Sequence, residues 1–152
     1  MRVPHCWRDA ATGLDTCAVT FEWLCVSSQP ALGASDFSAL CARFPRVVVG
    51  NVPEMRPNSF GRSGDAARRF ALFLDVAYDR RTRVVVTSRC AAIFQDADAA
   101  DADADADEDT ANARPESQSL AARAAFRRAA SRWAEMSRGA YGLRLVDHAV
   151  HI

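Results

Sequence analysis

Residues 46–53 of this chain read RVVVGNVP, and residues 83–88 read RVVVTS. In each stretch three successive valines lie between polar or turn-forming residues, which predicts a strand buried on both faces, as in parallel sheets. Between them, residues 65–80 have the spacing of an amphipathic helix. Its apolar positions are Phe70, Phe73, Leu74, Ala77 and Tyr78. The order of strand, helix and strand predicts a βαβ unit with a right-handed crossover.

The segment before this unit predicts a further strand and a short helix. Residues 18–25 (AVTFEWLC) alternate and are rich in aromatic and β-branched residues, which favours a strand. Ser35 is placed to cap a helix over residues 36–44, and Asp36 suits the first turn of that helix. Pro45 should end it, because the residue before a proline is disfavoured in the helical conformation.

The segment after the unit begins with an acidic run. Residues 96–109 (DADAADADADADED) have too few large apolar side chains to form a core, which predicts a disordered insertion over residues 95–118. A functional acidic tail is the alternative. Residues 119–138 then have helical spacing, and Gly139 follows at a position typical of a helix C-cap. The predicted apolar stripe of this helix is Ala122, Phe126, Ala129, Trp133 and Met136.

These patterns predict an α/β fold, with a small βαβ-containing part followed by a C-terminal helix. A chain of 152 residues is long enough for one domain with a modest core. We predict three regions: residues 1–94 form the α/β part, 95–118 the disordered acidic insertion, and 119–152 the C-terminal helix and tail.

The charge of the chain is unevenly distributed. All 19 basic residues are arginines, and the formal net charge is zero. Residues 96–109 hold eight of the 19 acids, so the rest of the chain carries 19 Arg, 11 acids and a net charge of +8. The arginines reflect either the codon bias of a GC-rich genome or a surface for phosphate groups. Arginines scattered without interleaved aromatic residues give little support for nucleic-acid binding.

The cysteines and histidines do not form a recognisable metal or disulfide pattern. Five cysteines without a C-x-x-C pair predict free thiols, buried or partly buried, in a reducing compartment. Three histidines, two of them at positions 148 and 151, give little support for a metal site. The N-terminal residues lack the apolar stretch of a secretory signal, and no run of apolar residues is long enough to span a bilayer.

Two blocks of sequence resemble segments of the ZapE/AFG-one-like family of P-loop ATPases, which are related to the AAA proteins. Residues 21–25 (FEWLC) and 32–37 (LGASDF) are similar to the family pattern F-x-x-L-C…L-G-A-x-D-Y. Residues 48–53 (VVGNVP), 67–70 (ARRF) and 75–79 (DVAYD) are similar to IP…A-R-R-F-I-x-L-I-D-x-L-Y-D.

A third block follows in the order of the family pattern. Residues 126–128 (FRR), residues 131–136 (SRWAEM) and Tyr141 resemble F-x-R-T-x-S-R-L-x-E-M…Y, although Ala129 and Trp133 replace the Thr and the Leu. Together the blocks span nearly the whole chain apart from the acidic run. The resemblance implies the C-terminal portion of an ATPase that uses ATP and Mg²⁺ to remodel protein clients or control their quality.

The chain itself does not carry the phosphate-binding motif of such an ATPase. A P-loop, G-x-x-x-x-G-K-[ST], needs a lysine to reach the phosphates, and the sequence contains no lysine. There is also no Walker B acidic pair after the first valine strand, where Asn51 is followed by Val52 and Pro53. We therefore expect the chain to be inactive alone and to need the P-loop region as its partner.

Four arginines are the candidate nucleotide-sensing residues that the resemblance implies: Arg68, Arg69, Arg128 and Arg132. Cations in the first turn of a helix oppose its dipole, which makes Arg68 and Arg69 candidates for contact with an anion. The structural alternative is that Arg68 pairs with a surface acid and Arg69 lies along apolar surface. Glu135 is the predicted orienting residue for Arg132, and an ordinary ion pair between these two residues is the alternative.

Two further interpretations of the chain remain open. One is a non-catalytic protein-interaction module derived from the ATPase family, and the other is a nucleic-acid-binding domain. As an ATPase part, the chain would act on protein clients and form a homo-oligomer. By resemblance it would be mitochondrial in a eukaryote and cytoplasmic in a bacterium.

Overall fold

The computed structural model describes residues 5–27, 31–56, 59, 64–90, 92–94, 116–138 and 144–146, without the side chains of 116–119 and 144–146. These residues form a five-stranded sheet with the strands in chain order. The strands are β1 His5–Arg8, β2 Asp15–Thr20, β3 Arg46–Gly50, β4 Arg83–Thr87 and β5 Arg144–Val146. Three helices connect them: α1 Ala34–Arg43, α2 Asp65–Asp79 and α3 Glu116–Ser137. The predicted α/β class is confirmed.

The sheet is mixed, with one antiparallel edge strand. β1 pairs with β2 in a hairpin, whereas β2, β3, β4 and β5 are parallel to one another. The predicted βαβ unit is β3, α2 and β4, with Val47 opposite Val84 and Val49 opposite Val86. Because β3 and β4 are neighbours, the two valine strands are joined by a single helical crossover.

The three helices lie on one face of the sheet. Each parallel connection moves one strand further in the same direction, and right-handed crossovers of this kind place their helices on the same side. α2 lies between α1 and α3 and packs against both. The core between helices and sheet contains Val47, Val49, Val84, Val86, Phe37, Phe70, Phe73 and Phe126, all fully buried. Phe37 and Phe73 meet edge to face with ring centroids 5.7 Å apart, a favourable aromatic geometry.

The opposite face of the sheet is only partly covered within the described part of the chain. Val48 and Val85 point away from the helices and are half-buried. Trp7, paired with Thr16 across the hairpin, is 46% exposed. The prediction that both valine strands are buried on both faces is therefore wrong for these residues, because three successive valines do not show whether a second layer covers the sheet.

The strand predicted over residues 18–25 is wrong beyond Thr20. β2 begins earlier, at Asp15, and the chain then turns into a short π-helical segment, Trp23–Ser27. The Thr20 hydroxyl accepts a hydrogen bond from the Trp23 backbone N–H at 3.1 Å, as an N-cap residue does. The buried residues Phe21, Leu24 and Cys25 follow i, i+3, i+4 spacing, which is the helical signal in this segment.

The predicted boundaries of two helices differ from the structure. α1 begins at Ala34 after Gly33, not after Ser35, because the Asp36 carboxylate accepts a hydrogen bond from the Gly33 backbone N–H at 3.0 Å. α3 begins at Glu116, so the last residues assigned to the insertion are helical. The acidic run at 96–109 and Gly139 lie outside the described residues.

Candidate functional site

Arg69 connects the beginning of α2 to the turn that follows β2. Its Nη1 donates a hydrogen bond to the backbone carbonyl of Cys25 at 2.7 Å, and the side chain is half-buried. Cys25 lies inside the π-helical segment and is 1% exposed. The Arg69 guanidinium therefore joins α2 to the π-helical segment. This differs from the structural alternative, in which Arg69 lies along apolar surface.

Arg68 lies one residue earlier on α2 and is more accessible. Its Nη1 is 3.3 Å from Asp65 Oδ1 in an i, i+3 ion pair, and the two side chains are 47% and 69% exposed. An exposed pair of this kind contributes less than about 1 kcal/mol. Pairing of Arg68 with a surface acid is what the structural alternative predicted.

Arg128 and Arg132 meet the same carboxylate on the neighbouring helix. Arg128 Nε donates to Asp75 Oδ2 at 3.2 Å, and Arg132 Nε lies 3.5 Å from Asp75 Oδ1. That Oδ1 atom is buried and accepts no hydrogen bond, so Arg132 interacts with it through charge. The arginines that follow α2 along the chain are thus not the partners of Asp75 among the described residues. Asp75 instead joins α2 to α3.

Tyr78 completes this group, which we call the α2–α3 polar cluster: Asp75, Tyr78, Arg128, Arg132 and Glu135. The Arg132 guanidinium lies over the Tyr78 ring at 4.0 Å from its centroid, a cation–π arrangement. The Tyr78 hydroxyl donates to Glu135 Oε1 at 2.6 Å. Glu135 is therefore linked to Arg132 through Tyr78, and it fixes the ring on which the guanidinium stacks.

The four candidate arginines lie in two separate groups. Arg68 and Arg69 are in the first turns of α2, at the carboxyl end of β3. Asp75, which holds Arg128 and Arg132, lies six residues after Arg69 on α2, about 9 Å further along the helix axis. α2 runs back along the sheet, so the α2–α3 polar cluster lies toward the amino ends of the strands. One anion cannot contact both groups within the described structure.

The carboxyl ends of β3 and β4 form a small polar edge. Asn51 follows β3 with a φ of 58° and an exposed side chain, and asparagine tolerates this left-handed conformation. Its backbone N–H donates to Thr87 Oγ1 at 3.3 Å. The Ser88 hydroxyl donates to the Val52 carbonyl at 2.8 Å. Ligands of open α/β sheets bind at this edge.

The residues at this edge do not by themselves fit ATP with Mg²⁺. Asn51 occupies the position after β3, and the chain has no lysine for the phosphates. Among the described residues, no group of three His, Cys, Asp or Glu side chains is arranged to hold a metal ion.

The five cysteines differ in exposure, and all are free thiols. Cys17, Cys25 and Cys41 are buried, Cys90 is half-buried and Cys6 is exposed. Burial raises the pKa of Cys25 to about 12, although the nearby Arg69 acts in the opposite direction. A buried thiol with a raised pKa reacts poorly with reagents in solution, so Cys25 is a packing residue.

A mostly parallel α/β sheet with helical crossovers is an architecture in which ligands bind at the carboxyl ends of the strands. A family model described as AFG1-like ATPase matches residues 6–144. The chain belongs to the AFG1-like ATPase family, which confirms the resemblance drawn from the three sequence blocks. Neither the curated proteins nor the solved structures yield a significant match. Across the described residues, no helix combines the length and apolar character needed to cross a bilayer.

Proposed function

We propose that this chain is the C-terminal part of an AFG1-like ATPase, which hydrolyses ATP with Mg²⁺ and couples hydrolysis to the remodelling or quality control of protein clients. The observation that carries this proposal is the family match over residues 6–144 in a sequence without a lysine. Because a P-loop requires that lysine, the phosphate-binding site has to come from a separate P-loop region.

The half-covered sheet supports a partner of this kind. Parallel sheets normally have both faces covered, whereas here the described helices cover one. Trp7, Val48 and Val85 lie on the other face. We propose that the P-loop region packs on this face, and that residues 1–94 and 119–152 act together as one α/β part around the insertion at 95–118.

The candidate arginines have different parts in this proposal. Arg68 and Arg69 lie at the carboxyl edge, where a nucleotide held by the P-loop region would be bound. Arg128 and Arg132, with Glu135 as the orienting residue, are directed at α2 in the described structure. They would sense nucleotide through a movement of α3, or contact the nucleotide of a neighbouring copy in a homo-oligomer.

The coding sequence upstream of Met1 provides the first test. An in-frame G-x-x-x-x-G-K-[ST] encoded there would support the proposal that this chain is part of an ATPase. Its absence would favour the second candidate, a non-catalytic interaction module that kept the fold. The proposed compartment, mitochondrial in a eukaryote or cytoplasmic in a bacterium, follows the family resemblance. It is tested by locating the tagged full-length protein.

The role of Arg69 is tested by ATP turnover in the longer protein that includes this chain. Arg69→Ala should lower turnover by about a hundredfold or more, in the range seen when one charge-stabilising group is lost. Arg43→Ala is the matched control, because Arg43 lies at the last turn of α1 with a side chain 73% exposed. Both variants should keep the wild-type circular dichroism spectrum. Unchanged turnover in folded Arg69→Ala would contradict a role for Arg69 in the nucleotide cycle.

A further inference from the structure

Two thiols face each other across the β1–β2 hairpin. The register pairs Cys6 directly with Cys17, and the two side chains therefore lie on the same face of the sheet. Cys6 is exposed on the edge strand, whereas Cys17 is completely buried under the helices. The pair thus joins a thiol that solvent reaches to one that solvent does not reach.

The hydrogen bonding of the hairpin shows which kind of cross-strand pair this is. The Asp9 backbone N–H donates to the Leu14 carbonyl at 2.9 Å, which makes Asp9 and Leu14 a hydrogen-bonded pair. Such pairs alternate with non-hydrogen-bonded pairs along antiparallel strands. Along the register of the two strands, Arg8 and Asp15 therefore form a non-hydrogen-bonded pair, and Trp7 and Thr16 form a hydrogen-bonded one. Cys6 and Cys17 are again a non-hydrogen-bonded pair.

This position suits a disulfide. Residues of a non-hydrogen-bonded pair have Cα atoms about 4.5 Å apart, and disulfides span Cα separations of about 4.4 to 6.8 Å. The electrostatics agree with this proximity: burial is the main cause that raises the pKa of Cys17 to about 12, and the neighbouring thiols of Cys6 and Cys41 contribute to the same rise. Cβ atoms across such a pair are about 4.5–5.5 Å apart, wider than the about 3.8 Å of a relaxed disulfide, so the bond would be strained and readily reduced.

We propose that Cys6 and Cys17 form a reversible disulfide by exchange with a small disulfide such as oxidised glutathione, so that the β1–β2 hairpin is an oxidative modification site. The Cys6 thiolate attacks one sulfur of oxidised glutathione and releases one glutathione thiol. The Cys17 sulfur then loses its proton and attacks the Cys6 sulfur of the mixed disulfide, which releases the second glutathione. Two protein thiols are oxidised, and one oxidised glutathione is reduced to two thiols.

The order of attack follows from exposure. Cys6 reacts first because it is accessible on the edge strand, and Cys17 reacts only with its neighbour because it is enclosed by the core. A strained disulfide with one exposed sulfur belongs to the labile class rather than the structural class. The bond would lock the edge strand β1 to the core strand β2.

The test is incubation of the purified chain with oxidised glutathione, followed by alkylation and peptide mass mapping. The proposal predicts a crosslink between the peptides of Cys6 and Cys17, with a mass loss of two hydrogen atoms, that dithiothreitol reverses. Cys90→Ser is the matched control and should retain the crosslink, since Cys90 lies on a different segment. Cys6→Ser should lose the crosslink and leave Cys17 unmodified. Cys17→Ser should stop at one glutathione on Cys6.

Three outcomes would overturn the proposal. The first is a wild-type chain that stays glutathionylated at Cys6 with Cys17 free, and the second is a chain that does not react at all. The third is a disulfide between Cys17 and Cys41, the other thiol near Cys17. Cys6→Ser replaces an exposed side chain and should fold, so its circular dichroism spectrum separates loss of the crosslink from loss of structure.

Discussion

Asp75 interacts with two arginines across the α2–α3 interface. One carboxylate oxygen accepts a hydrogen bond from Arg128, and the other lies within ion-pair distance of Arg132. The Asp75 side chain is only 24% exposed, whereas that of Arg128 is 59% exposed. Arg132 adds its stacking on Tyr78 to the same contact. The charge of Asp75 therefore offsets two guanidinium groups that would otherwise repel each other on α3.

Replacing Asp75 by Asn should lower the free energy of unfolding by about 1 kcal/mol, near the upper end for partly exposed ion pairs. The reason is that the amide keeps the size of the side chain but loses both charge interactions. Urea denaturation measures the difference. Asp79→Asn, on the exposed end of the same helix, is the matched control and should cost less than about 0.5 kcal/mol. Equal effects of the two substitutions would show that the α2–α3 polar cluster does not stabilise the fold.

Sequence reasoning named the arginines and Glu135 as candidate site residues, but it did not give their arrangement. Helical spacing places Arg128, Arg132 and Glu135 on one face of α3, and the charge pattern singles out Arg68 and Arg69. Which carboxylate meets Arg128 depends on how α3 is placed against α2, which is set by strand order and crossover rather than by either helix alone. Sequence reasoning did not identify Asn51 as a site residue. The feature that marks Asn51 is its left-handed backbone conformation, which the pattern of residue types does not show.

Hydrogen bonds and an ion pair of charged side chains stabilise the turn of the β1–β2 hairpin. The Asp9 carboxylate accepts a hydrogen bond from Arg46 on β3, and further ones from the backbone N–H groups of Ala11 and Thr12. Arg46 also donates to the Thr12 hydroxyl. These contacts hold the pKa of Asp9 below its usual value, with the Arg46 hydrogen bond as the largest cause. Gly13, with a φ of 67°, closes the turn in a conformation that glycine adopts without strain.

The stability that Asp9 contributes should therefore be lost in acid. A carboxyl group whose pKa is lower in the folded state stabilises the fold above its unfolded pKa, about 3.9, and this contribution disappears as the pH falls through the folded pKa. Unfolding measured at about pH 6 and about pH 3 should show a smaller pH-dependent loss for Asp9→Asn than for the wild type. Thr12→Ala keeps the carboxylate and its backbone donors, and should keep the wild-type loss. An unchanged loss in Asp9→Asn would contradict the role of this group.

At the scale of elements, the sequence predicts long periodic segments better than short exposed ones. α2, α3 and the two valine strands were predicted because their buried residues recur at a regular spacing over several turns or positions. β1 was not predicted, since all four of its residues are exposed and the strand has no buried side to give a pattern. β5 has three residues, too few to show a period.

At the scale of the whole molecule, the described residues form an α/β layer in which helices cover one face of the sheet. Helices α1, α2 and α3 bury one face of the sheet, and the valines of β3 and β4 divide between the two faces by the alternation of a strand. The family shown by the match over residues 6–144 handles ATP, and the chain has no lysine to bind its phosphates. The proposal of a separate P-loop region rests on two features: the described residues cover the second face of the sheet only partly, and the sequence has no lysine.

Adjacent valines on β3 test this central claim most directly. Val47 faces the helices and is fully buried, whereas Val48 faces the other side and is half-buried. In urea denaturation of this chain, Val47→Ala should lower the free energy of unfolding by about 2 kcal/mol or more, as loss of core volume does. Val48→Ala should cost less than about 1 kcal/mol. An equal and large cost at Val48 would show that the chain already covers this face itself, and would contradict a sheet left open for a P-loop region.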